Sequence, residues 1–452
     1  MIDILHTSLA FIVAIALLVA VHEYGHFTVA RRLGIRVEKF SIGFGPALFS
    51  WRSRDGEVLY VIAAIPLGGY VKMLGENPDE QGEDCESVLS DQERTRAFHL
   101  QPIWKRAAVA VAGPAANFIF AVFAFMLVGW LGQFVLPAIV GHIAPASIAE
   151  QAGLQVGDRV LAVNQSPVHS WQQMEELLKD YVGQRVQLSV RHDAQTVTLN
   201  MMLPIQKKDP LLLNVADTVL GFDPGLTIKV DEVMKGSPAE RAGLKNGDII
   251  RRIDGWPVSN VHQFIERIKA NAGHNVTIMV KRKQTLLELH VIPVSDDHQQ
   301  VRIGVRLASR AMHGTELYRM GLLGGVRYGF VRTWEMTDMT LAIFGKMVTA
   351  AISPDNLGGP IAIAQLAGRT AHLGLVYFLG FLALISVNLG VLNLLPVPIL
   401  DGGMLVYLGL EKLRGRALPQ KFLEVTQMIG LLLIVSLMVF AFYNDISRLF
   451  RG

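Results

Sequence analysis

Two histidines and a glutamate close the first apolar run of the chain: His22, Glu23 and His26, in SLAFIVAIALLVAVHEYGHFTVA at residues 8–30. On a helix, residues four apart stack on one face. The H-E-x-x-H spacing therefore offers a divalent ion two imidazoles and brings a carboxylate within reach of water on that ion. The plainer alternative is a pair of histidines at a helix end near a membrane surface. Placement argues against it, because ionisable groups are costly at the close of a hydrophobic segment and mark a functional site. A catalytic zinc site usually takes three protein ligands and keeps one position for water. Among acids bordering the apolar segments, Asp401 in Leu-Asp-Gly-Gly sits at the matching depth; its alternative is a helix cap or turn. With it the site becomes His2Asp around one ion, Zn2+ by ligand type, although such a set holds other divalent ions too. Glu23 is then the general base that takes a proton from the attacking water and returns it to the leaving amine. Asn388 or Asn393 could donate hydrogen bonds to an oxyanion or to substrate backbone, with ordinary helix packing as the alternative for each.

The elements that must position these groups are membrane spans. Half of the 452 residues are hydrophobic (51%) and the mean hydropathy is +0.35, which fits spans joined to water-facing parts. A net charge of +3, with no basic tract interleaved with aromatics, gives no reason to invoke nucleic acid. The lone cysteine, Cys85, excludes an intramolecular disulfide and a C-x-x-C zinc site. The opening MIDILH carries Asp3 and no Lys or Arg, so it reads as part of a retained span rather than a cleaved signal.

Basic residues set the expected orientation. Arg31, Arg32, Arg36 and Lys39 follow the first span, Lys105 and Arg106 precede the second, and Lys412, Arg414, Arg416 and Lys421 lie between the third and fourth. The positive-inside rule makes these ends cytoplasmic. Both termini then face outward, and His22, His26 and Asp401 share the cytoplasmic level. The expected fold is an α-helical polytopic membrane protein of four transmembrane helices, with a membrane-associated β-hairpin region and two small α+β domains. Its first transmembrane helix is 1–30. A cytoplasmic-side β region, 31–105, follows, with a hairpin turn at Asp55-Gly56 and an acidic loop at 76–93 that holds eight acids and no base. The apolar stretch Val58–Met73 reads either as a packed sheet or as a hairpin dipping into the membrane. The second transmembrane helix is 106–132, amphipathic or connecting helices fill 309–375, the third span is 376–400, a cytoplasmic loop is 401–424, and the fourth span is 425–445. Asn117, in the second span, reads as an interhelical hydrogen bonder.

Between the second span and the connecting helices the chain repeats itself. AGLQVGDRVLAVN at 152–164 aligns with AGLKNGDIIRRID at 242–254, an offset of 90. That period is too long for a solenoid and fits two tandem domains, 133–222 and 223–308. The A-G-L-x-x-G-D-x-(I/V) signature resembles PDZ domains of bacterial envelope proteases. Such domains can take a peptide by strand addition or can simply shield a site.

Taken together, His22-Glu23-Tyr24-Gly25-His26, Gly43-Phe44-Gly45-Pro46, Pro66-Leu67-Gly68-Gly69-Tyr70, Gly113-Pro114, the paired PDZ signatures, Asn388-Leu389-Gly390 with Asn393, and Leu400-Asp401-Gly402 resemble bacterial site-2 proteases over nearly the whole chain. The resemblance implies a zinc protease of the inner membrane that cuts a single-span anti-sigma factor already trimmed elsewhere. It implies that Gly68, Gly69 and Tyr70 belong to a membrane-reentrant β-hairpin that binds substrate. It also implies that the outward PDZ-like domains act as a size filter. Met404 departs from the family, where histidine commonly follows Asp-Gly-Gly. Two other classes compete: a metal transporter, which needs no Glu23 base, and a membrane-anchored scaffold without catalysis.

Overall fold

The computed structural model describes residues 2–76, 90–205, 214–258, 261–295, 301–311, 314–349 and 358–451. Most of the expected acidic loop, with Cys85, lies outside the described residues. The chain forms two compact units, Met1–Gln133 with Arg319–Gly452, and Phe134–Tyr318.

The first unit opens with α1 (Ile2–Arg32), whose last turn carries Arg31 and Arg32, charges that suit the negative end of the helix dipole. Strands β1 (Val37–Arg52) and β2 (Leu59–Met73) follow, then α2 (Ile103–Leu131). After the second unit the chain returns as α3 (Leu322–Val348), α4 (Pro360–Leu373), α5 (Leu375–Leu394), α6 (Asp401–Arg414) and α7 (Gln420–Arg451). Among the described residues, four helices are long and apolar enough to cross a membrane: Ile4–Arg32, Ile103–Leu131, Leu375–Leu394 and Gln420–Ser447.

Small residues let these helices meet. A side chain at Gly25 would collide with the Ala112 carbonyl, and one at Gly113 with the rings of His22 and His26. The α1–α2 approach thus depends on glycine from both sides. Ala121, Ala124 and Phe125 of α2 pack with Ala383, Val387 and Val391 of α5, and Ala10, Ala14 and Leu18 of α1 with Phe381 and Leu382. The stretch read as amphipathic or connecting helices holds α3 and α4, and α3 packs against α2. Thr333 and Thr340 of α3 are buried, and Gly329 brings the α3 backbone against the Val122 carbonyl of α2.

The two long strands fold back on each other rather than forming a plain hairpin. Phe40 lies opposite both Tyr60 and Val71, and Ser41 opposite both Val61 and Tyr70. The 39–42 segment is therefore flanked on both sides, while 69–73 forms an outer edge. One face packs Phe40, Val58, Val71 and Met73 against Phe27 of α1 and Val109 of α2. Phe44, Leu48, Phe49 and Trp51 are exposed, a contiguous run of large apolar side chains that marks an interaction or membrane surface.

Residues 401–424, expected as a loop, contain α6. Pro396 and Pro398 stop α5, and Ile399 turns the chain at φ +84, a strained conformation for a β-branched residue. Asp401 then opens the new helix, which ends in Lys412 and Arg414 with Gly415 left-handed at φ +71, the usual helix stop. Of the four basic residues of this segment, Lys412 and Arg414 form the polar last turn of this helix, Arg416 lies just beyond it and Lys421 opens α7. Arg106 of α2 reaches Glu411 of α6 at 2.6 Å.

The second unit holds two similarly built halves. The first carries a four-stranded sheet in the order Ser166–Pro167, Arg159–Val163, Arg185–His192, Gln195–Met202, closed by helix Trp171–Lys179. In the second, Thr285–Val291, Val276–Arg282, Ile249–Ile253, Leu226–Val233 and Val305–Ala311 are neighbours in that order, with helix Val261–Ala270. Each half has its own apolar core. The repeat extends to caps: Ser147 and Ser237 each accept from a helical N–H three residues on, at 3.2 Å. It also extends to buried carboxylates, where Asp158 and Asp248 accept from Gln155 N–H and Lys245 N–H at 2.9 Å.

Candidate active site

Helix α1 presents His22 and His26 from adjacent turns, as their spacing requires, and α6 brings Asp401 to them. Nε2 of His22 lies 3.3 Å from one Asp401 oxygen and Nε2 of His26 3.4 Å from the other. One ligand atom from each of the three lies within 4.8 Å of the other two, and no other such group occurs among the described residues. The three side chains are only 11–19% exposed, so two imidazoles and a carboxyl group are held together with little water. That donor set fits a small divalent cation, which would offset the buried negative charge.

The far ring nitrogens decide which tautomer each histidine adopts. His26 Nδ1 donates to the Val109 carbonyl at 2.8 Å, leaving its Nε2 lone pair for an ion. His22 Nδ1 lies 3.2 Å from the Asn117 amide nitrogen, Nδ2. Asn117 is fully buried, and its Oδ1 has no hydrogen-bond partner. Turning the amide end for end gives that oxygen the His22 Nδ1–H and leaves His22 Nε2 free. Both histidines then face the Asp401 carboxylate with the nitrogen a cation requires. The Asn117 backbone is itself held from α5, where Ser386 Oγ donates to its carbonyl at 2.8 Å.

Glu23 lines the same cavity, about 250 Å³, with His22, His26 and Asp401. Its position lets a carboxylate face water beside these three donor side chains. Gly69, Tyr70, Val71 and Met73 of the outer β2 edge form another wall of this cavity. A side chain at Gly69 would clash with Val19 and crowd Glu23, so glycine is what lets the edge come this close. Tyr70 stacks on Phe44 at 6.2 Å and carries Lys39 over its ring at 5.1 Å. Gly68 has φ +140, and a side chain there would strike the same Phe44 ring.

The two asparagines of α5 part company. Asn393 lines the cavity, its amide nitrogen 3.4 and 3.5 Å from the two His22 nitrogens. Near-equal distances to both mean that it lies in line with neither lone pair, so its donors remain able to reach a substrate. Asn388 is brought to α3 instead, where Thr340 Oγ1 donates to its Oδ1 at 2.9 Å. Asn117, read from the sequence as an interhelical hydrogen bonder, does bridge two helices, and its partner is His22; Gly113 and Asn117 are four apart and so share the α2 face that meets the histidines. Met404 also borders the cavity.

The chain matches peptidase family M50 over residues 10–437. It is 38% identical to the regulator of sigma-E protease RseP of Escherichia coli K12, over 99% of this chain and 100% of that protein. It is 37% identical to protease RseP of Yersinia pestis, over the same shares, and 37% identical to a candidate zinc metalloprotease of Vibrio cholerae, again over 99% and 100%. Among solved structures, the PDZ domain of an SdrC-like protein from Listeria monocytogenes aligns at 26% identity, covering 18% of this chain and 86% of that one, with a TM-score of 0.17.

Proposed function

Because this chain belongs to peptidase family M50 and is a zinc metalloprotease, we propose that it hydrolyses a peptide bond within or near the transmembrane segment of a single-span membrane protein, an anti-sigma factor trimmed beforehand by another protease. The observation that carries this reading is the meeting of three ligand atoms within 4.8 Å in one cavity with Glu23 and an outer strand edge.

His22, His26 and Asp401 would hold a single zinc ion, which supplies Lewis-acid activation of water and of a carbonyl. Glu23 accepts the proton from the attacking water on its carboxylate and delivers it to the nitrogen of the departing amine. Asn393, with an amide N–H open to the cavity, binds the substrate carbonyl or backbone; Asn388, bonded to Thr340, serves packing. A helical substrate hides its carbonyls in i to i−4 hydrogen bonds and must unwind before attack. The edge formed by Gly69 and Tyr70, with Gly68 at its turn, gives the freed backbone groups new partners where lipid supplies none.

We place this centre near the cytoplasmic side of the inner membrane, with both termini and the two PDZ-like halves periplasmic. The basic residues at the span ends support that orientation. The PDZ-like halves serve as a size filter or bind peptide. Purified wild type and Glu23→Gln are compared on a single-span substrate in detergent, with and without chelator. Loss of cleavage of at least ~100-fold in the variant and with chelator is expected. Undiminished cleavage by Glu23→Gln, or chelator-sensitive metal flux in place of cleavage, would overturn the reading.

A further inference from the structure

A second cavity, about 820 Å³, lies in the Phe134–Tyr318 unit on the outer face of its second sheet. Its floor is made by strands Ile249–Ile253 and Val276–Arg282, whose core-facing residues Ile250, Ile278 and Val280 are fully buried on the opposite side. Strand alternation therefore turns Arg251, Met279 and Lys281 outward, and Arg252 joins them across a register shift between Ile250 and Arg252. Three permanent cations thus border one cavity. No ion-pair or hydrogen-bond partner engages their side chains among the described residues, and no carboxylate lines the space. Across from them stands His142, whose Nδ1 is 3.1 Å from the buried Asp223.

The remaining walls are apolar: Leu226, Val258 and Leu286 with Met279. The cavity sits where the halves join, and the junction is tight. Gly141 approaches Gly225 so closely that no Cβ could be added. Like charges clustered in this way repel each other, and an anion relieves that repulsion. Guanidinium forks suit the several oxygens of a phosphate better than one carboxylate. The apolar walls call for a ligand that also carries a hydrophobic group, and the volume lies in the range of small-molecule sites.

A peptide fits less well. Both floor strands are paired on each side, Ile249–Ile253 between Leu226–Val233 and Val276–Arg282, and Val276–Arg282 between Ile249–Ile253 and Thr285–Val291. Neither floor strand leaves an edge for backbone addition, and the sheet's free edge on this side belongs to the rim strand Thr285–Val291. Recognition must come from side chains.

We propose that this cavity binds an organic phosphate bearing an apolar group, with the phosphate held by Arg251, Arg252 and Lys281 and the apolar part lying against Leu226, Met279 and Leu286. The ligand is either a lipid headgroup with its acyl chain or a soluble organophosphate, and the two share this chemistry. The test uses the full chain in non-ionic detergent with radiolabelled oleoyl lysophosphatidic acid as probe. Saturable binding that weakens with added salt and at least tenfold in the triple variant R251Q/R252Q/K281Q is expected. Thermal unfolding and cleavage of a single-span substrate should be unchanged in that variant, showing that it folds. Displacement by phenyl phosphate at matching concentrations supports the soluble source; a tenfold or greater advantage of the lysolipid supports the lipid. Equal binding to wild type and triple variant overturns the proposal. So does binding of oleate or oleoyl lysophosphatidylcholine as tight as that of the phosphomonoester, and so does an acidic peptide that displaces the probe more effectively than either phosphate.

Discussion

The amide of Asn117 stands 3.2 Å from Nδ1 of His22, a residue 95 positions away in the chain. This contact joins the second apolar helix to the H-E-x-x-H turn of the first. Its physical content is a tautomer: with the amide turned so that its partnerless oxygen faces Nδ1 and accepts from it, Nε2 is kept free for the ion. Asn117→Leu, similar in volume but without an acceptor, should weaken zinc binding 10- to 100-fold. Competition against a chromophoric chelator measures this directly. Wild-type zinc affinity in Asn117→Leu would contradict the assignment.

The outer β2 edge makes a prediction that separates unwinding from chemistry. Proline at Tyr70 removes a backbone N–H from the edge and stiffens it. Cleavage of a helical transmembrane substrate should slow at least ~10-fold more than cleavage of an already extended peptide, since only the former needs the edge to replace its own hydrogen bonds. Paired rate measurements on the two substrates decide it; equal losses would mean that the edge is merely structural.

The internal repeat places His192 and Arg282 at equivalent positions, each beside the buried aspartate of its half. His192 Nδ1 is 2.6 Å from Asp158, and Arg282 binds both oxygens of Asp248 at 2.7 Å. Asp158 raises the His192 pKa above its usual 6.5. A raised histidine contributes stability that is complete below 6.5 and fades as pH climbs through the folded value. In the same half, burial lifts Glu175 from 4.5 to about 7, while its carboxylate accepts the Val215 and Ala216 N–H groups. A carboxyl group raised in the fold favours the protonated form, so stability declines as pH rises from 4.5 through 7, by on the order of 3 kcal/mol. Both groups act in one direction.

In the second half, the Asp248 pKa is lowered below 3.8: burial pushes it up, but the Arg282 guanidinium and the Lys245 N–H outweigh that. This contribution is lost only in strong acid. Amide hydrogen exchange of the full chain between pH 5 and 8 should therefore show falling protection in the first half and level protection in the second. His192→Arg should flatten part of the first half's slope, and a slope unchanged by that substitution would refute the pairing argument.

Asp445 of α7 is 3% exposed and accepts three backbone N–H groups at the start of α4, from Gly359, Ile361 and Ala362 at 2.9, 2.8 and 3.1 Å. It caps that helix from a distance. Asp445→Ala leaves one buried and two part-buried donors unpaired and should cost about 2–4 kcal/mol, seen as earlier loss of α7–α4 packing on denaturant titration in micelles. Asp445→Asn, which keeps one acceptor, should retain part of that stability.

What could be read beforehand followed the range of the interaction. The His22–His26 pairing is local helical geometry, and charge patterns put Asp401 at the expected level of the histidines, to which the structure brings its carboxyl group. Asn117 is legible as an interhelical hydrogen bonder, but its partner is not, because a single amide within an apolar helix is compatible with packing against any neighbour. Asn388 and Asn393 look alike in sequence, and only the position of Thr340 tells them apart. Helix α6 was hidden by its basic end, where Lys412 and Arg414 suit a loop as well as a last helical turn. The doubled pairing of Phe40 with Tyr60 and Val71 was beyond reach, since alternation fixes which face is buried but not how often a strand folds back.

The six residues between Leu394 and Asp401 give the third ligand an independence that the histidines lack. His22 and His26 are fixed to one rigid rod, whereas the aspartate arrives on a bent arm pinned by two prolines and a strained isoleucine. An ion held by all three works as a clasp between the opening helix and the final third of the chain, so its departure should free that arm along with the catalytic centre. Chelation, on this view, changes the enzyme's mechanics as well as its reactivity.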